Sequence, residues 1–343
     1  MRYPAFLPDK GRIGFIAPSF GCTTEPYLSC FEESLRLFRR RGYKTVLGPN
    51  CHASDGIGKS STPEKCGAEI NEFFTQDRCD VILSCGGGET MCEDLPFVDF
   101  EAIRKAPAKW YMGFSDNTNL TFTLPVLCDT AAVYGPCAPS FAMKPLHRSV
   151  KDALLLLQGK KTEFTSYSGW EKTPLKDEAD PFAPYNITEK TVMRIASAPE
   201  GDSTAFSGRL IGGCLDCLSI LAGTGFDRVK EFTDRYAGDG LIWFLEACDL
   251  NPMGIRRAIW QLDQAGWFRN AKGFLIGRPL LFDEQMLGMD HYNAVTGVLE
   301  KYGVPIVMDT DLGHLPPMIP LISGAQADVT ASPKKLTVKM RLE

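Results

Sequence analysis

In MGFSDNTNL, residues 112–120, a serine stands between a phenylalanine and an aspartate where an apolar run stops. With KWYMGF as a buried strand and the following segment as a helix, Ser115 falls at a sharp strand-to-helix turn that holds its hydroxyl out for chemistry. A serine hydroxyl is a poor nucleophile until a base takes its proton, and the base is usually a histidine oriented by a carboxylate. The chain has four histidines. His52 follows a turn-like PNC segment, and His147 and His291 lie near helix starts; all three read most simply as surface or capping residues. His314 differs, because DTDLGHLPPMIPL places it just after an apolar strand, between Gly313, which permits unusual dihedrals, and two prolines that stiffen the exit. It is the best base available, the competing reading being a loop histidine bonded to backbone.

For the orienting acid, Glu246 ends the apolar run GLIWFLEACDL. A carboxylate there costs several kcal/mol to bury unpaired, so it needs a donor or a site where charge is useful. Asp249 competes for the role but equally suits capping the helix that NPMGIRRAI opens; Glu246 is preferred. The oxyanion of an acyl-transfer intermediate needs backbone N–H groups aimed at one point. CGGGET supplies Gly86, Gly87 and Gly88 directly after a strand, where backbone can approach a ligand closely, and the amide of Asp116 is a second natural donor. The competing reading of the glycines is a tight turn into a helix. A dinucleotide site fits poorly, since CGGGET is not G-x-G-x-x-G and does not follow the first strand. GFSDN is half of G-x-S-x-G, with Asn117 in place of the second glycine.

The elements that must position these residues alternate strand and helix through the first half. GRIGFIAP, YKTVLGP, CDVILSC, KWYMGF and AAVYGP read as strands. YLSCFEESLRLFRRRG is a helix with Leu28, Phe31, Leu35 and Phe38 at helical spacing, and SSTPEKCGAEINEFF is another, with Ser61 as expected N-cap. HRSVKDALLLLQG closes the series. This order predicts an α/β fold with a Rossmann-like or flavodoxin-like parallel sheet and helices on both faces. Ligands on such sheets gather at the carboxyl ends of the strands, where APSFG, CGGGET and GFSDNT lie. An N-terminal domain is expected over 1–165 and a linker or surface excursion over 166–190, rich in proline, glycine and charge. A second, mixed α/β domain of short strands then covers 191–343.

The whole-chain properties narrow the function. The chain has 343 residues, 44% hydrophobic, enough for a substantial core, and a net charge of −5 with no basic concentration, which argues against nucleic acid as a partner. The opening MRYPAFLPDKGRIGF lacks a signal-peptide core, and LIWFL and ALLLL fall far short of a membrane span, so a soluble cytoplasmic protein with no membrane partner is expected. The 12 cysteines are scattered through apparent strands and helices, which predicts reduced, mostly buried thiols. The Cys214–Cys217 pair in GGCLDCL lacks a second pair or nearby histidines for zinc, which leaves a redox pair as the alternative to two buried thiols. No metal or cofactor is expected.

Serine, glutamate and histidine in this chain order resemble the LD-carboxypeptidase family of serine peptidases. The resemblance runs through IAPS, CGGGET, GFSDNT, GGCLDCL, WFLEA, IRRAIWQL, GFLIGRP and DLGHLPP, nearly the whole chain; Cys214 stands where the family usually has asparagine, and Gly88 and Glu89 where it usually has Tyr-Gly or Tyr-Asn. It implies Ser115 as nucleophile, His314 as general base, Glu246 as its partner, and an oxyanion hole from the Gly-Gly loop with Gly87 and the Asp116 amide. It implies either a murein tetrapeptide substrate or, in the branch that confers microcin C self-immunity, a peptidyl or aminoacyl nucleotide. In that second branch a tryptophan stacks on the base, a role that Trp170 in SYSGWEKTP resembles, against an aromatic clamp as its other reading. Family members commonly pair, so a homodimer is implied. The rival to a hydrolase is a protein on the same scaffold that binds a small anion without turnover.

Overall fold

The computed structural model describes residues 1–56, 58–196 and 203–343. The chain forms two compact units: one comprises Met1–Lys161 with Thr173–Asn186, the other Thr162–Lys172 with Ile187–Glu343.

In the first unit the elements are β1 (Arg12–Ile16), α1 (Tyr27–Arg40), β2 (Lys44–Leu47), α2 (Pro63–Thr75), β3 (Val81–Ser84), α3 (Phe100–Lys105), β4 (Trp110–Gly113), α4 (Thr118–Thr121), α5 (Thr123–Cys128), β5 (Ala132–Tyr134) and α6 (Arg148–Leu157). All five strands pair in parallel, β1 with β2 and β3, β3 with β4, and β4 with β5. The resulting order β2-β1-β3-β4-β5 is the flavodoxin-like one, as expected. Every residue of β3 and β4 is buried, which requires both faces of the sheet to be covered and explains why these strands read as continuous apolar runs. Phe31, Leu35 and Phe38 of α1 are buried as their spacing predicts, whereas Leu28, in the first turn, is half-buried.

The N-cap of α2 is Thr62, not Ser61. Pro63 takes the first helical position and forces the residue before it into extended backbone, so the boundary moves one residue along. Between β3 and α3, Met91–Phe97 forms a 3₁₀ turn with Pro96 inside it.

The second unit contains β6 (Glu163–Thr165), β7 (Gly169–Glu171), β8 (Ile187–Lys190), β9 (Arg194–Ile195), β10 (Thr204–Cys214), α7 (Leu215–Leu221), α8 (Val229–Arg235), β11 (Leu241–Glu246), α9 (Pro252–Gln264), β12 (Ala271–Gly277), α10 (His291–Leu299), β13 (Ile306–Thr310), β14 (Leu321–Ser323), β15 (Gln326–Ser332) and β16 (Lys335–Arg341). Its main sheet runs β6-β16-β15-β10-β11-β12-β13-β9. The four central strands are parallel, and the flanking ones are antiparallel, which makes this unit mixed as expected. Residues 166–190 are more than a linker, because β7 and β8 pair as a small antiparallel ribbon.

All 12 cysteines are free and ten are buried, in keeping with reduced structural thiols. Among the described residues no helix is long and apolar enough to cross a membrane, and no group of three or more His, Cys, Asp or Glu residues is placed to hold a metal ion.

Candidate active site

Ser115 follows β4 and opens a short 3₁₀ turn that runs into α4. Its φ is +63°, a left-handed conformation rarely taken by a residue with a side chain and held only where the surroundings enforce it. The enforcing contacts are specific. The Ser115 amide donates to Tyr134 Oη at 3.2 Å. Asn117 Nδ2 donates to the carbonyls of Gly86 (2.8 Å) and Phe114 (2.9 Å), and Tyr111 Oη donates to Asn117 Oδ1. Asn117 folds over Gly113, where a Cβ would come within 2.7 Å of its Cγ. Asparagine thus does the work of the missing second glycine: it ties the serine turn to the glycine loop.

That loop lies against Ser115. A Cβ on Gly87 would stand 3.2 Å from Ser115 Cβ and 3.3 Å from Oγ, so the absent side chain leaves room for a group bound to the hydroxyl. Gly88 is packed as tightly, with Ser19 Oγ 2.1 Å from where a Cβ would lie. Asp116 is buried; Ser19 Oγ donates to its Oδ2 at 2.5 Å, the Met91 amide to the same oxygen at 3.0 Å, and Asn119 Nδ2 to its Oδ1 at 3.0 Å. Burial raises the Asp116 carboxyl above the ordinary range although these donors pull it down.

In the second unit, Glu246 ends β11 and lies beside Cys214 in the parallel pairing with β10. His314 Nδ1 is 2.8 Å from Glu246 Oε2, and the glutamate side chain is 1% exposed against 14% for the imidazole. Gly313 has φ +92°, and a Cβ there would fall 2.4 Å from Glu246 Oε2, so only glycine lets the loop lie on the carboxylate. Burial disfavours the imidazolium, but the Glu246 charge and hydrogen bonds from Cys248 and Glu246 prevail, and the His314 pKa stands well above 6.5. Asp249 is exposed, and the cap of α9 is Asn251, which accepts from the Gly254 amide at 2.8 Å.

The other histidines divide. His52 is exposed and 3.0 Å from Glu32, and His147 caps α6 by accepting from the Ser149 amide. His291 is not a surface residue: it is 3% exposed at the start of α10, with Asp309 3.5 Å away, because the apolar face of that helix carries it inward. Trp170 is 6% exposed in place of the open platform that stacking requires. Its indole N–H donates to the Lys190 carbonyl at 3.2 Å, Phe282 packs at 5.1 Å and the Arg278 guanidinium at 5.0 Å, which is the clamp arrangement. Cys214 and Cys217 hydrogen-bond each other; that bond and burial hold the Cys214 thiol well above its ordinary range, as in an inert buried thiol.

Ser19, Asn117, Tyr111, Tyr134 and Cys248 carry no local sequence signature of a site. IAPS and the asparagine of GFSDN were their nearest signals, one a strand-end loop and the other an apparent motif defect.

Comparison with known proteins relates both halves of the chain to one family. The family model described as the LD-carboxypeptidase N-terminal domain matches residues 13–135, and the one described as the LD-carboxypeptidase C-terminal domain matches 207–329. The Microcin C7 self-immunity protein MccF of Escherichia coli is 25% identical over 95% of this chain and 92% of its own length. The probable murein peptide carboxypeptidase of Bacillus subtilis (strain 168) is 25% identical over 98% of this chain and 94% of its own length. A solved structure of MccF in complex with aspartyl sulfamoyl adenosine superposes with a TM-score of 0.79 at 22% identity, covering 99% of each chain.

Proposed function

Because this chain belongs to the LD-carboxypeptidase family, we propose that it is a serine hydrolase that cleaves an amide in a small peptide or an aminoacyl nucleotide. The observation that carries the reading is Ser115 in its left-handed turn with Gly87 against its hydroxyl. Ser115 Oγ attacks the carbonyl, and His314 Nε2 takes its proton, Nδ1 being committed to Glu246. The amides of Gly87 and Asp116 hold the oxyanion. The protonated imidazole returns its proton to the leaving amine, and water, deprotonated by His314, releases the acyl group and regenerates the serine. Glu246 stabilises the imidazolium that forms at each step.

An active-site fluorophosphonate tests the reading. Labelling of the wild type that disappears in Ser115→Ala supports it; a folded wild type that does not label favours the small-anion binder. Relatives named for murein peptide and for microcin immunity match at equal identity, so both substrates belong in one mass-spectrometric assay. Release of a terminal D-alanine from murein tetrapeptide selects one, and release of the nucleotide portion of an aminoacyl sulfamoyl adenosine selects the other. In the same reading the protein works in the cytoplasm as a homodimer, for which light scattering at micromolar concentration is the measurement.

A further inference from the structure

Under the glycine loop lies an ion pair that the catalytic reading leaves unused. Lys59, from the loop after β2, is 2% exposed, and Asp94, in the 3₁₀ turn after β3, is 0% exposed. Their Nζ and Oδ1 are 2.6 Å apart. Lys59 Nζ also donates to the Thr90 carbonyl at 3.2 Å and lies 3.5 Å from Glu93 Oε2. The adjacent Ser60 is anchored to the loop after β1, its amide donating to the Ser19 carbonyl at 2.7 Å.

The Thr90 carbonyl and the Met91 amide are two ends of one peptide unit, and that unit is clamped on both sides. Lys59 holds its oxygen, and Asp116 Oδ2 accepts its N–H at 3.0 Å. The relay thus runs Asp94, Lys59, the 90–91 peptide, Asp116, and then along the backbone to Ser115. A cation on the oxygen and a carboxylate on the N–H polarise the peptide in the same sense, so each contact strengthens the other. Stability alone gives poor grounds for such a pair, since well-packed apolar residues of similar volume usually serve as well or better.

We propose that Lys59 is a positioning residue for the glycine loop and the serine turn: pinned by Asp94, it fixes the 90–91 peptide, and through it the place of Gly87 and of the Asp116 amide. The inference rests on the serine-hydrolase reading above.

The test uses Lys59→Met/Asp94→Leu, which removes both charges together and leaves neither orphaned, with fluorophosphonate labelling rate, kcat, KM and thermal melting as readouts. Expected is wild-type melting with a labelling rate and kcat lowered about tenfold or more and KM little changed, because geometry and not binding is lost. Should the double variant not fold, Lys59→Met at pH 6 carries the test. Burial already raises the Asp94 carboxyl to about 7 against the pull of Lys59, so without the lysine it is neutral at that pH and leaves no buried charge. Labelling of either folded variant at the wild-type rate overturns the inference alone, whereas a wild type that never labels overturns the parent reading.

Discussion

Ser115 and His314, the nucleophile and base of the proposed reaction, are held in place by different physics. Around Ser115 the work is done by backbone: a left-handed φ, close-packed glycines, hydrogen bonds donated by Asn117 and Ser19, and one accepted by Tyr134 from the Ser115 amide. Around His314 it is done by charge, with one buried carboxylate at a strand end bonded to one imidazole nitrogen. Position in the first case follows from many small constraints, none decisive alone. In the second, orientation follows from Glu246, and protonation state from its charge together with hydrogen bonds from Cys248 and Glu246.

That contrast can be broken experimentally, and Glu246→Gln is the strongest attempt. It should lower kcat by about 10²- to 10⁴-fold, as amide-for-carboxylate changes behind a catalytic histidine do. It should also move the pH profile in a defined direction. A base works only when neutral, so with the His314 pKa well above 6.5 the wild-type rate climbs with pH through a limb above that value. Without the carboxylate the limb shifts downward; a limb that stays put in the kcat/KM profile would refute the electrostatic account. Gly87→Ala probes the backbone side, where the added methyl meets the serine hydroxyl, and kcat should fall about 100-fold with the acid limb unmoved. A wild-type rate in that variant would break the comparison from the other end.

Smaller effects sharpen it. Gly313→Ala combines an unfavourable φ with a methyl 2.4 Å from Glu246 Oε2, so the pair must separate, with about a tenfold loss of kcat and a limb displaced toward that of Glu246→Gln. Tyr134→Phe removes the acceptor of the Ser115 amide and should cost about 1 kcal/mol in urea unfolding, with at most about a threefold change in rate.

Much of this was legible in the sequence because it is written in contiguous segments. Strands buried on both faces announce themselves as apolar runs, and Ser115 and Glu246 stood out by ending such runs, as His314 did by following one between Gly313 and two prolines. The network beneath them was not legible, since Ser19 and Asp116 are 97 positions apart and Lys59 reaches Asp94 across an intervening helix and strand. Polar loop residues have no periodicity, and only the fold reveals which of them meet. Trp170 shows the same limit: the sequence left base stacking and an aromatic clamp both open, and its burial depends on Phe282 and Arg278, more than 100 positions away. His291, read as a surface or capping residue, is buried for the same reason.

The torsion at Ser115 has a practical corollary. A bend that costs any ordinary residue energy costs glycine almost none, so Ser115→Gly should leave the scaffold at least as stable while removing the reactive oxygen. Such a molecule would retain its recognition surfaces and release nothing cleaved, which makes it suitable as immobilised bait for fishing the natural compound intact out of a cell extract.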